Sequence, residues 1–217
     1  MNMISIKKVA LGLALSATVI GAKAQKTYTE GTATYGVVTT AGAADSKVLF
    51  KGDTSALSFQ GGPATVTITS TLKDDYVSVL VDIPVAGKKL IAVASPADLE
   101  EMADMIPVYA FTATTETKKI GDYNCTKYIA KDTKTSKTYD LWITKDVNLA
   151  ANSFTKTYKT VAGTPVQFTY LQPGRGEQLV TLKSISDAKV PAGAFKAPAD
   201  ATNIPWSQLM AMMGGKK

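Results

Sequence analysis

Apolar and polar side chains alternate along most of residues 35–83. Val66 and Ile68 alternate with threonines at positions 65, 67, 69 and 71, and valines at positions 77, 79 and 81 continue the same two-residue period. This period is typical of strands with one buried face. The polar cluster 73–75 lies between the two runs and favours a turn. We therefore predict two antiparallel strands joined at this cluster.

A helical period replaces the alternation over residues 96–106. Apolar side chains recur there at spacings of three and four residues, with acidic side chains opposite. Ser95 can cap the helix, Pro96 suits its first turn, and the carboxylate of Asp98 favours the exposed amides. Pro107 ends it. A second, shorter amphipathic helix is predicted over residues 205–213.

The second half of the chain otherwise returns to strands. We predict strands at 88–94, 109–114, 117–132 and 137–144, and another around Val166, Phe168 and Tyr170. The apolar parity changes within residues 179–185, which a β-bulge explains. Trp142 lies on the opposite strand face from Leu141, so either both faces of that strand are covered or Trp142 is exposed for binding.

Together these elements predict an α+β fold that is mainly β. Antiparallel strands interrupted by two helices, without βαβ alternation or an internal repeat, favour a single curved antiparallel sheet covered by short helices. The length suits one domain, which we place at residues 25–217.

The N-terminal segment has the pattern of a signal peptide. Lys7 and Lys8 precede the apolar run 9–20, and the small residues Ala22 and Ala24 suit cleavage before Gln25. The run is shorter than the roughly 20 apolar residues of a membrane-spanning helix. We therefore predict that residues 1–24 are removed, which leaves no transmembrane anchor and an exported protein, periplasmic or extracellular.

Composition excludes several kinds of chemistry. Lysine and arginine total 24 against 18 acidic residues, a net charge of +6, and loss of the three lysines in residues 1–24 leaves +3. This charge is too small to indicate a nucleic-acid partner. The chain has no histidine, which excludes Ser-His-Asp and Cys-His catalysis and the usual zinc sites. The single cysteine, Cys125, cannot form an intramolecular disulfide and is predicted to be a buried core residue.

The remaining candidates for catalysis are weak. The acidic pair 74–75 lies in a predicted turn, and the pair 100–101 lies on the solvent face of a predicted helix. We predict a protein that is not an enzyme and that uses no cofactor and no metal.

One stretch resembles a known family. Residues 117–146 match a pattern K-x-I-x-x-Y-x-C-x-x-Y followed by W-x-x-x-D, and residues 195–198 match a closing F-x-x-P motif. This pattern resembles exported proteins with a domain of unknown function that is grouped with the lipoprotein-carrier and outer-membrane lipoprotein-receptor half-barrels of Gram-negative bacteria. The resemblance implies an open half-barrel with an apolar concave face, which in characterised relatives holds lipid acyl chains.

Two functions follow as hypotheses. The leading one is a non-enzymatic envelope protein that binds a hydrophobic or amphipathic ligand, such as a lipid or lipopeptide, in its concave face. The alternative is a structural or protein-docking module of the cell envelope, which uses an exposed sheet face or the methionine-rich C-terminal helix. Methionines suit an adaptable pocket and an ordinary core equally. The candidate ligand-binding residues are Leu99, Met102, Ile106, Trp142, Trp206, Met210 and Met213.

Overall fold

The computed structural model describes residues 25–40, 42–172 and 176–214. Within these residues, twelve strands form one sheet that curves without closing into a barrel. The predicted signal peptide lies outside these residues. The observed architecture confirms the expected α+β, mainly β class. None of the described helices is long and apolar enough to cross a membrane.

The chain contains fourteen described strands and two described α-helices. The strands are β1 (Lys26–Tyr28), β2 (Glu30–Thr39), β3 (Gly42–Lys51), β4 (Thr54–Gly61), β5 (Ala64–Thr71), β6 (Val77–Ile83), β7 (Lys88–Val93), β8 (Tyr109–Ile120), β9 (Tyr123–Asp132), β10 (Thr138–Thr144), β11 (Val147–Leu149), β12 (Thr164–Gln172), β13 (Gly176–Ser186) and β14 (Thr202–Asn203). The helices are α1 (Pro96–Met105) and α2 (Trp206–Met212), with short 3-10 turns at Pro84–Ala86 and Lys156–Tyr158.

The order of strands in the large sheet is β14-β7-β6-β5-β4-β3-β2-β13-β12-β10-β9-β8. Neighbours are antiparallel except β14, which pairs parallel with β7, while β1 and β11 form a separate parallel pair. Strands β7 and β8 are consecutive in the chain but lie near opposite edges of the sheet. Helix α1 belongs to the connection that joins these two sides.

One face of the sheet is apolar from strand to strand. The register places Ala33, Val48, Leu57 and Ile68 beside one another on β2, β3, β4 and β5. Ile68 of β5 and Tyr170 of β12 line one common pocket although four strands separate them. The sheet therefore curves toward this apolar face, which is its concave side.

Two separate groups of side chains cover the concave face. The larger core lies under residues 150–163, which we call the inner segment, and contains Tyr35, Phe154 and Phe168. The smaller core lies between α2 and strands β5, β6 and β7, with Leu209 at its centre. The predicted cover of short helices is joined by this irregular segment, which covers the larger core.

Local chemistry explains several boundaries that the sequence predicted. The Ser95 hydroxyl accepts a hydrogen bond from the Asp98 amide, and the Asp98 carboxylate accepts one from the Ser95 amide, a complete capping box at the start of α1. Strands β5 and β6 pair antiparallel across the 73–75 turn, as predicted. The predicted bulge is also confirmed, because the pairing of β13 with β2 shifts register between Leu182 and Ser184.

The predicted strand 117–132 is wrong as a single element. A turn at Gly121 and Asp122 divides it into β8 and β9, which pair antiparallel. Gly121 has a positive φ of 56°, a conformation that glycine adopts without steric cost. The glycine and aspartate at these two positions are typical turn residues.

Candidate ligand site on the concave face

Buried hydrogen bonds hold the inner segment against the sheet. Asn152 donates from its Nδ2 to the Tyr35 hydroxyl at 3.1 Å. The backbone amide of Ser153 donates to the Ser55 hydroxyl at 3.0 Å. Tyr158 donates from its hydroxyl to the Thr169 carbonyl at 2.6 Å. These groups would be costly to bury without partners, so the segment has a defined position.

Aromatic side chains of the inner segment fill the space between these hydrogen bonds. The Phe154 ring meets the Tyr35 and Tyr170 rings edge to face, each with centroids 5.1 Å apart. The Tyr158 ring lies 5.2 Å from the Phe168 ring and stacks on the Tyr109 ring at 5.4 Å. Such edge-to-face and offset arrangements are the favoured ones for aromatic pairs.

A pocket of about 390 Å³, which we call the sheet pocket, lies on the concave face. Its apolar wall comes from β2, β4 and β5 on one side and from the inner segment and β12 on the other. The hairpin ends β2–β3 and β4–β5 border it with Thr39 and Gln60. The apolar lining includes Val37, Leu57, Phe59, Ile68, Phe154 and Tyr170.

The polar side chains that line the sheet pocket are Thr39, Ser46, Gln60 and Gln178, and none of its lining side chains, all within the described residues, carries a formal charge. Ser46 and Gln178 line it and are themselves buried. Burial raises the pKa of the Tyr170 hydroxyl, so this group is neutral at physiological pH. The pocket thus combines a mainly apolar surface with several neutral hydrogen-bonding groups.

A smaller cavity of about 120 Å³, the helix pocket, lies between α1 and the inner segment. Met102 and Ile106 line it from the α1 side, and Tyr158 lines it from the inner segment. Lys156 also lines it, and its ammonium forms an ion pair with Asp74. Helix α1 itself has no fully buried residue.

Helix α1 is fixed mainly at its two ends. The capping box lies at its start, and Lys134 donates from its Nζ to the carbonyls of Asp104 at 2.7 Å and Ile106 at 3.1 Å. A lysine at this position also interacts favourably with the helix dipole.

The structure divides the predicted site residues among three places. Met102 and Ile106 line the helix pocket, whereas Leu99 is half-buried on α1 and lines neither pocket. The predicted residues of the C-terminal helix pack against the smaller core instead, beside Leu209; they are Trp206, Met210 and Met213.

Trp142 does not belong with the other predicted site residues, and the sequence-based grouping is corrected here. Its β12 neighbour in the register is Gln167, which points away from the concave face because Phe168 points into it. Trp142 is only 4% exposed. Lys118 covers it with its Nζ 4.0 Å from the ring centre, and Lys127 lies 5.9 Å away. Both faces of this strand are therefore covered, the first of the two predicted alternatives.

Cys125 is buried at 2% exposure, which confirms the prediction of a core residue. Burial raises the pKa of its thiol to about 11, so the thiolate is scarce at neutral pH. No cluster of three or more His, Cys, Asp or Glu side chains that could hold a metal occurs among the described residues.

Sequence reasoning missed the inner segment and with it Phe154, which lines both pockets. Residues 150–163 follow neither a two-residue nor a helical period, so the usual signals give no indication that they are buried. Their one available clue is the presence of Phe154 and Tyr158 in a loop, since large aromatic side chains are seldom left exposed.

Comparisons with known proteins find distant structural neighbours. No family model matches the chain, and no curated protein matches it significantly. Two solved structures of PNGF-II, in space groups C2 and P21, are similar to it with TM-scores of 0.49 and 0.46, each at 15% identity. They cover 84% and 83% of this chain, which itself spans 32% of the PNGF-II chain. The resemblance to the lipoprotein-carrier half-barrels therefore rests on the sequence motifs alone.

Proposed function

We propose that this protein is a non-enzymatic, exported envelope protein that binds a hydrophobic or amphipathic ligand, such as a lipid or lipopeptide, in the sheet pocket. The observation that carries this proposal is the pocket itself, an apolar concavity of about 390 Å³ between the sheet and the inner segment. Ligand pockets commonly span roughly 300–1,000 Å³ and combine an apolar lining with a few oriented polar groups.

The lining favours an apolar chain over a polar ligand. Apolar side chains such as Leu57, Phe59 and Ile68 form more than half of the wall, and its polar side chains are all neutral. Burial of each methylene group contributes about 0.8 kcal/mol, so a few methylenes are enough for measurable affinity. The signal-peptide pattern of residues 1–24 supports export to an envelope compartment.

The docking alternative receives less support from the C-terminal helix. Trp206, Leu209 and Met210 pack against the sheet, so most of the apolar face of α2 is engaged within the molecule. Met212 is the large apolar side chain of α2 that is exposed. An isolated exposed side chain is common on protein surfaces and does not indicate a partner.

Native mass spectrometry of the protein purified from its exported form tests the proposal. Organic extraction of any adduct then identifies the ligand. Ala44 is exposed and lines the sheet pocket, so Ala44→Phe fills the pocket without replacing a core residue. Ala110→Phe is the matched control, because Ala110 is an exposed strand residue that lines neither pocket.

We expect a discrete lipid-sized adduct on the native protein and on the Ala110→Phe variant, and its loss from the Ala44→Phe variant. In a titration with monopalmitoylglycerol as a probe, the native protein and the Ala110→Phe variant should bind the probe, and the Ala44→Phe variant should not. A bare mass for the native protein together with no binding of this probe would reject the proposal and direct the search toward protein partners.

A further inference from the structure

The sheet pocket and the helix pocket share two lining residues, Phe154 and Tyr170. Phe154 comes from the inner segment and Tyr170 from β12, and their rings meet nearly perpendicular, at 88°. Both residues therefore border the larger space of about 390 Å³ and the smaller space of about 120 Å³.

We infer that Phe154 and Tyr170 form a partition that limits the length of ligand chain that the sheet pocket accepts. This inference rests on the proposed function and adds a specificity determinant to it. A chain that fills the sheet pocket meets the ring pair, and the apolar space beyond it is lined by Met102, Ile106 and Tyr158.

The partition is held firmly in place. Phe154 is 3% exposed, and its backbone amide donates to the Asn152 Oδ1 at 3.1 Å. Its ring also meets Tyr35 at 5.1 Å, and Tyr35 is fully buried. Displacement of the Phe154 ring would break its contacts with the Tyr35 and Tyr170 rings, so the ring pair acts as a fixed stop for the ligand.

The absence of charged side chains in the sheet pocket decides which probe suits it. No side chain that lines the sheet pocket, within the described residues, carries a charge, and a carboxylate buried there would lose its hydration without compensation. A series of saturated monoacylglycerols from octanoyl to stearoyl varies chain length without adding charge. Dissociation constants across this series locate the greatest length that the pocket accepts.

Phe154→Ala opens the partition and should extend the accepted length. In the native protein, affinity should rise about fourfold per methylene, the equivalent of about 0.8 kcal/mol, and then stop rising when the chain reaches the ring pair. In Phe154→Ala the rise should continue to longer chains than in the native protein.

Phe111→Ala is the matched control. Phe111 packs against the same core and its ring lies 6.1 Å from that of Tyr158, but it lines neither pocket. The greatest ligand chain length that the Phe111→Ala variant accepts should equal that of the native protein. Thermal unfolding checks that each variant folds, and Tyr170→Ala opens the same partition from β12 if Phe154→Ala does not fold.

The outcomes separate this inference from the proposed function. The same length limit in the native protein and in the partition variants would overturn the inference while leaving ligand binding intact. A longer limit in Phe111→Ala as well would also overturn it, because the effect would then be general loosening of the core. Failure of every monoacylglycerol to bind the native protein would count against the proposed function itself and would remove the basis for this inference.

Discussion

The hydroxyl oxygens of Ser55 and Ser153 lie 2.8 Å apart in the protein core, 98 positions apart in the chain. Ser55 also accepts a hydrogen bond from the Ser153 amide at 3.0 Å, so one side chain of β4 holds both the backbone and the side chain of the inner segment. The Ser153 hydroxyl has a further neighbour in Ser70, at 3.4 Å. This buried cluster fixes the segment that forms one wall of both pockets.

Ser55→Ala should destabilise the fold more than Ser153→Ala. The first change leaves the buried Ser153 amide without its acceptor, which costs about 1–3 kcal/mol of unfolding free energy. The second removes only hydroxyl contacts and should cost about 1 kcal/mol. Urea denaturation measures both, with the half-buried Ser58→Ala as a control. An equal or reversed order would contradict the role given to the amide.

Acid should weaken the fold through Glu30. The Glu30 carboxylate accepts from Lys51 at 3.0 Å, from the Val190 amide at 2.9 Å and from Lys189 at 3.3 Å. These contacts, with Lys51 the largest cause, lower the pKa of Glu30 from 4.5 to about 2. A carboxyl group whose pKa is lower in the folded state stabilises it above the unfolded pKa, and this contribution disappears as the pH falls through the folded pKa.

Glu30→Gln should therefore reduce the loss of unfolding free energy between about pH 4.5 and pH 2. Denaturant unfolding at closely spaced pH values measures this dependence. Glu101→Gln, on the exposed side of α1, is the control and should keep the native profile. If both variants lose stability over this range as steeply as the native protein, Glu30 is not the group responsible.

The Lys118 ammonium should stabilise the fold through its contact with Trp142. Its Nζ lies 4.0 Å from the ring centre and also donates to the Gln167 Oε1 at 3.1 Å. Lys118→Met keeps an apolar stem over the ring but removes the charge, and should cost about 0.5–1 kcal/mol. Lys119→Met is the control, because alternation places this exposed neighbour on the other strand face.

Urea midpoints compare the two lysine variants, and Trp142 fluorescence in a Trp206→Phe background reports the ring environment. We expect the emission of Trp142 to change in Lys118→Met and to stay native in Lys119→Met. Equal stability of the two variants would show that the lysine charge contributes nothing at this ring.

Cys125 should resist thiol reagents until the protein unfolds. Burial is the largest cause that raises the pKa of its thiol, from 9.0 to about 11, and the thiolate fraction at pH 8 falls by about 100-fold as a result. Labelling with a disulfide reagent should be at least that much slower in the native protein than in guanidinium chloride. Stoichiometric labelling of the native protein at the unfolded rate would contradict this burial.

Gly163→Ala should destabilise the fold more than Gly62→Ala. Both glycines have positive φ, but a Cβ at Gly163 would lie 2.6 Å from the Thr144 carbonyl oxygen, whereas a Cβ at Gly62 would meet no atom within 4 Å. Gly62→Ala should therefore cost only the roughly 1–2 kcal/mol of the left-handed backbone, and Gly163→Ala should cost more. Thermal or urea unfolding that ranks the two in the opposite order would contradict the close approach at Gly163.

The sequence by itself determined the elements whose signals are local. The start of α1 depends on Ser95 and Asp98, three residues apart, and the β13 bulge appears as a change of apolar parity within a few residues. Alternation over residues 64–83 likewise defines β5, β6 and the face that they bury. In each case the chemistry that decides the structure involves neighbours in the chain, so the pattern can be recognised without a partner.

Only the tertiary structure decided what covers the sheet and where the pockets lie. Asn152 contacts Tyr35 across 117 positions, and no periodicity in residues 150–163 indicates that this loop enters the core. Trp142 is a second example of a contact that the sequence did not predict. Alternation placed it on one face of β10, but the lysines that cover it come from β8 and β9. Packing between distant segments depends on curvature and register together, and neither is encoded in any short stretch of the chain.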